Sequence, residues 1–112
     1  MKKIEAIVRP LKLEELKDAL HKANINGLTI SQVIGCGNQR GWTEYYRSNE
    51  VLINVLPKVQ ITIVTSDDRV DEIVKVITSV ARTGEVGDGK IFISNIEDVI
   101  RIRTGENGDK GL

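Results

Sequence analysis

The feature that most constrains this chain is a pattern that occurs twice. Residues 2–9 alternate, with Ile4, Ala6 and Val8 on one face, and residues 58–66 repeat the alternation with Val59, Ile61 and Ile63. A helical pattern follows each run. Leu13, Leu16, Leu20 and Ala23 recur at spacings of three and four, and Val70, Ile73, Ile77 and Val80 stand 57 positions further on, residue for residue. Pro10 suits the entry to the first helix, where its missing N–H would be unpaired anyway. Asp67 and Asp68 are suited to capping the second, with Asp71 and Glu72 favouring its positive end. After Asn24, Asn26 and Gly27 a strand over 28–35 completes the first unit, as 90–94 completes the second.

Two βαβ units in 112 residues predict one α+β domain over 1–112, a ferredoxin-like βαββαβ sandwich with two helices on one face of a four-stranded antiparallel sheet. The other face must be wet or meet another subunit. Gln32, Gln60 and Thr62 are mixed there with Val33, Ile34 and Val64, too apolar for solvent alone and too polar for a monomer core, so a homo-oligomer is expected. Past a turn-forming 95–99, Ile100, Arg101, Ile102 and Arg103 alternate as a short C-terminal strand with both arginines on one face. A solvated edge strand blunted by charge is the plain reading of that pair. Residues 104–112 are polar and glycine-rich, and read as a flexible tail.

Charge narrows the function classes. Sixteen basic and sixteen acidic residues cancel, leaving no global field for nucleic acid or anionic lipid. No apolar run approaches the ~20 residues of a membrane span, and Lys2 and Lys3 lead into a strand instead of an apolar leader, so a cytoplasmic protein is expected. The lone Cys36, with only His21 as a companion, can build neither an internal disulfide nor a tetrahedral metal site, and reads as a small buried thiol.

Two stretches carry chemistry. In "RTGEVGDGKIFIS", residues 82–94, Gly84 is followed after four residues by Gly89 and Lys90, close to the phosphate loop of nucleotide hydrolases. That loop needs a hydroxyl after the lysine and a helix beyond it, whereas Ile91 and a strand pattern follow here. Gly84, Gly87 and Gly89 still permit an anion nest beside an ammonium; a glycine-rich helix stop, with Arg82 in the last turn, is the other open reading. The second stretch, 37–57, is longer than a compact domain usually keeps between elements. It holds Trp42, Tyr45 and Tyr46 with Arg40, Glu44, Arg47 and Glu50, a composition suited to contacting a protein, and leaves Phe92 as the aromatic share of the core. Packing of one ring against the base of the segment is the alternative.

In this order the segments "MKKIEAIVRP", "GCGNQRGWTEYYR", "LPKVQITIVTSDD", "ARTGEVGDGKIFIS" and "IRIRTGE" resemble the PII nitrogen-signalling family over nearly the whole chain, and within it the branch associated with ammonium transporters. The resemblance implies a homotrimer binding ATP or ADP between subunits, with 2-oxoglutarate taken together with Mg²⁺ and ATP. Residues 37–57 would be the effector loop. Gly87, Asp88, Gly89 and Lys90 match the nucleotide loop, Arg101 and Arg103 the phosphate arginines, and Thr29, Thr62 and Val64 the positions around base and ribose, with Gly37 and Asn38 at the same site. Gln39 matches the Mg²⁺ ligand. Lys58 matches the lysine for the distal carboxylate of 2-oxoglutarate, whose other end is received near Gln39, Arg40, Gly41 and Gly87. The loop, with Trp42, Tyr45, Tyr46 and Arg47, would dock on an ammonium transporter at the inner face of the membrane, Arg47 entering the pore. Other nitrogen-metabolism enzymes or regulators are further expected targets.

Departures from the family pattern matter. Val51 stands where many members carry a nucleotidylated tyrosine, and Asn49 where some carry a phosphorylated serine. Asn38 replaces a common arginine, Thr62 a common acid and Trp42 a common histidine, which touches phosphate affinity and the balance of ATP against ADP. The resemblance implies a regulator rather than an enzyme, with slow ATP hydrolysis as a timer at most. The rival is a small phosphate-handling enzyme of acylphosphatase type using Arg9 or Asn38, but Pro10-Leu11-Lys12 stands where a glycine-bounded loop would be needed. A metal-tolerance protein of similar topology would need clustered soft ligands, which this sequence does not have.

Overall fold

The computed structural model describes residues 1–36, 42–46, 49–53 and 55–112, the second and third of these as backbone only. Strand β1 (Lys2–Val8) leads through a 3₁₀ turn (Pro10–Lys12) into α1 (Leu13–Lys22), and β2 (Thr29–Cys36) follows. A two-stranded hairpin, β3 (Trp42–Tyr46) and β4 (Asn49–Ile53), precedes β5 (Val55–Thr65). A second 3₁₀ turn (Asp67–Arg69), α2 (Val70–Ala81) and β6 (Lys90–Asn95) complete the repeat. The duplicated pattern survives in detail, since both 3₁₀ turns and both helix starts lie 57 positions apart.

The four-stranded sheet has the order β2-β5-β1-β6, antiparallel throughout, the arrangement expected of a ferredoxin-like sandwich. Alternation sends Ile4, Ala6, Val8, Val59, Ile61 and Ile63 to the helix-covered face, where they bury against Leu16, Leu20, Ile73 and Ile77. Each such Val, Leu or Ile side chain contributes about 1.5–3 kcal/mol on leaving water, which is what holds both helices to the sheet. The opposite face carries Lys58, Gln60, Thr62 and Val64 from β5, with Glu5, Thr29, Lys90 and Phe92 on the neighbouring strands. Gln32 and Ile34 alternate to the helix side instead, opposite Val59 and Pro57. Pro57 is tolerated because β5 outruns β1, whose last pair is Val8 with Val59, so that end of β5 is an open edge.

Several local expectations change. Asp67 does not cap α2: its carboxylate lies 2.9 Å from the Met1 ammonium, and the second 3₁₀ turn has no side-chain cap. Phe92 is 51% exposed on the open face, because its register opposite Glu5 turns it away from the helices. Cys36, at the end of edge strand β2, is exposed rather than buried. The 37–57 stretch contains the β3–β4 hairpin, and Val55, Leu56 and Pro57 already pair with β2. The alternation at Ile100 to Arg103 gives no strand, since among the described residues no strand lies alongside it. Ile100 forms a single bridge to Asn107, and the chain reverses through Arg101 N–H to Glu106 O (2.8 Å) and Gly105 N–H to Arg101 O (2.7 Å). The C-terminal residues are drawn back onto this turn, with Gly108 N–H donating to Val99 O and to Asp98 Oδ1, and Gly111 buried.

Candidate functional site

The glycine stretch begins where α2 stops. Ala81 is the last helical residue and Arg82 is already extended, so the helix ends without a left-handed glycine, and Gly84 serves the loop instead. The loop is built around Asp88. Its carboxylate accepts from the amides of Thr83 (2.8 Å) and Gly84 (2.9 Å), from the Thr83 hydroxyl, and from Arg9 Nε (3.3 Å). The Thr83 hydroxyl and then the Thr83 amide hold Asp88 well below the usual carboxylate range against the opposing effect of burial, and the Gly84 amide and Arg9 add less. Gly84, Gly87 and Gly89 all have positive φ, at 90°, 102° and 102°. At Gly89 the requirement is also steric: a Cβ would sit 1.7 Å from the Ile7 carbonyl oxygen, so only glycine lets the loop close onto the end of β1.

Two cations hold the loop from the sheet side. Arg9 Nη2 donates to Val86 O at 2.8 Å, and Lys58 Nζ to Gly87 O at 2.7 Å. Desolvation, then the nearby Arg9 charge, lowers the Lys58 pKa, with Asp88 pulling the other way. Lys90 opens β6 opposite Ile7, and its ammonium takes no hydrogen-bond or ion-pair partner among the described residues. Behind the loop a cleft of about 260 Å³ runs between α2 and the strands, lined by Val8, Ile77, Ala81, Arg82, Gly89 and Lys90 among others.

The sequence-predicted residues thus fall into groups. Lys58, Gly87, Asp88, Gly89 and Lys90 come together at one end of the sheet. Thr29 pairs directly with Thr62, and Val64 follows two residues on along the same open face. Arg101 and Arg103 are not joined to the glycine loop by any contact among the described residues. Arg101 donates to the Leu112 carbonyl and lies 3.9 Å from Glu106, while Arg103 is exposed. Gly37, Asn38, Gln39, Arg40, Gly41 and Arg47 lie outside the described residues, and of Trp42, Tyr45 and Tyr46 only the backbone is described, in β3. Among the described residues no cluster of His, Cys, Asp and Glu is arranged to hold a metal.

Sequence reasoning missed Thr83 and Arg9 as parts of this loop. Thr83, five residues before Asp88, carries the signature of a side-chain-closed turn and was findable. Arg9 reaches across 77 residues to Val86, and no local signal announces that contact.

Comparisons with known proteins place the chain in a family. The family model described as "Nitrogen regulatory protein P-II" matches residues 1–106. Relatives carrying that name include one from Nostoc punctiforme, 54% identical over 112 residues covering all of both chains. Others come from Mesorhizobium japonicum, 53% identical over 108 residues and 96% of each chain, and from Azospirillum brasilense, 50% identical over the full length of both. Relatives named as regulators set the phosphatase-like reading aside: this is a regulatory protein and not an enzyme. With a family match over nearly all its residues and full-length kinship at about half identity, the chain belongs to the nitrogen regulatory protein P-II family.

Proposed function

We propose that the chain is a trimeric sensor that binds ATP or ADP between protomers and takes 2-oxoglutarate together with Mg²⁺ and ATP. It signals through residues 37–57 to a target, first of all an ammonium transporter at the cytoplasmic face of the membrane. The observation that carries this reading is the 2.7 Å bond from Lys58 to the Gly87 carbonyl, which sets the metabolite lysine and the phosphate loop side by side. Lys90 next to it brings a charge with no partner among the described residues, and polyphosphate needs such cations at close range. The Gly89 position, where backbone approaches backbone too closely for any side chain, fits a loop that cradles phosphate with amides.

Placement of the arginines supports a cleft between protomers. The glycine loop precedes β6 and the arginines follow it; six extended residues separate the two ends by roughly 17–20 Å. One phosphate chain would meet Lys90 of one protomer and Arg101 and Arg103 of the next. Magnesium would be held by Gln39 with the phosphates and 2-oxoglutarate, supplying charge neutralisation that links metabolite to nucleotide. Enzymes or regulators of nitrogen metabolism are further targets of the same loop.

Calorimetry tests the sensor. ATP is expected to bind alone, and 2-oxoglutarate only when ATP and Mg²⁺ are present; binding of 2-oxoglutarate without nucleotide, or no heat from either, refutes it. For the transporter, Arg47→Ala should abolish capture by membranes containing an ammonium transporter, and undiminished capture discards that role.

A further inference from the structure

The loop around Gly87 is gripped by its carbonyls, although a phosphate would use its amides. Arg9 holds the Val86 carbonyl and Lys58 the Gly87 carbonyl, two consecutive peptide units, both from the sheet side. In a trans peptide the C=O and the following N–H point in opposite directions within one plane. Fixing the Val86 oxygen therefore fixes the Gly87 amide, and fixing the Gly87 oxygen fixes the Asp88 amide, each turned away from the two cations. Neither amide has an acceptor among the described residues. The amides of Thr83 and Gly84 offer nothing to an incoming anion, because the Asp88 carboxylate already occupies them. A glycine at φ 102° has wide freedom, so the direction of these peptides has to be imposed from outside the loop.

We propose that Arg9 and Lys58 are positioning residues for an anion nest, drawing two carbonyls back so that the Gly87 and Asp88 amides, beside Lys90, face a polyphosphate. The proposal rests on the reading that 87–90 meets phosphate, and adds what aims the donors. It also gives Lys58 two ligands to serve. An ammonium has three donors, so Lys58 can hold the Gly87 carbonyl and a carboxylate at once, and metabolite and nucleotide then communicate through this peptide as well as through a shared metal.

The experiment follows the Gly87 and Asp88 amides by ¹⁵N NMR in the full chain while inorganic tripolyphosphate or ATP is added without 2-oxoglutarate. It is run at about 0.5 M salt, where charges more than a few Å apart are largely screened. Tripolyphosphate should shift both amides in the wild type. Lys58→Met and Arg9→Met should weaken its binding about tenfold or more, the loss expected for a hydrogen bond to a charged group, and Lys58→Arg should restore most of it. Lys58→Gln, which keeps an N–H donor, stands in should the methionine variant not fold, with an intermediate loss expected. Affinity within twofold of wild type in the methionine and glutamine variants, or shifts at Thr83 and Gly84 in place of Gly87 and Asp88, overturns the proposal. Tripolyphosphate bound as described but ATP refused removes the nucleotide reading and keeps this one; ATP bound equally well by all variants does the reverse.

Discussion

Single atoms decide the glycine loop. At Gly89 an added methyl meets the Ile7 carbonyl oxygen at 1.7 Å, so Gly89→Ala must push the loop off β1 and is expected to cost more than about 3 kcal/mol in urea unfolding. Gly84 has a similar φ but open space around it, and Gly84→Ala should cost only about 1–2 kcal/mol, the backbone strain alone. Equal losses at the two positions would contradict the steric requirement at Gly89. Asp88 supplies a pH test. Its carboxyl is depressed in the fold, so its contribution is complete above the ordinary carboxylate value of about 4 and is lost as pH falls below it. Wild type should therefore lose stability below about pH 4 more steeply than Asp88→Asn, as read from urea midpoints between pH 6 and pH 2. At this scale the sequence is half legible. The Gly84-to-Lys90 spacing marks the loop, but the reason for Gly89 lies in β1, and Arg9 joins through a contact 77 residues long.

Among elements, the second repeat closes off the first. Asn24 takes a left-handed φ of 61° after α1, and Arg69, in the turn before α2, donates to the carbonyls of Ala23 (2.8 Å) and Asn24 (3.3 Å). A guanidinium there satisfies end carbonyls and opposes the negative pole of the helix. Arg69→Ala is expected to cost about 1 kcal/mol, since the arginine is partly solvated, and to lower the melting temperature by several degrees. Melting unchanged within a degree would remove that role. The helix starts are readable because a 57-residue offset fixes them twice over. The β3–β4 hairpin is not, although Trp42, Thr43, Tyr45, Tyr46, Val51 and Ile53 favour strands, because the length of 37–57 between paired strands points to a loop. The C-terminal alternation misled for the opposite reason: a period of two promises a strand only where a neighbouring strand waits, and here a turn answers it.

For the molecule as a whole, the open sheet face and the C-terminal turn leave Phe92, Ile100 and Ile102 in water, Ile102 completely. Light scattering should give three times the 12.4 kDa chain mass, and Ile102→Asp should lower the mass and the ATP affinity together if the cleft needs two protomers. A monomer that still binds ATP would separate assembly from the site. Strand order has a further result for how the protein comes into being. β1 has only β5 and β6 as neighbours, and β2 only β5, so neither half of the duplicated chain contains a single ladder of the main sheet. A nascent chain leaving the ribosome therefore carries α1 with no paired strand to dock on until β5 emerges, and the glycine loop is among the last parts to arrive. An ancestral single copy would have needed a twin to fold at all.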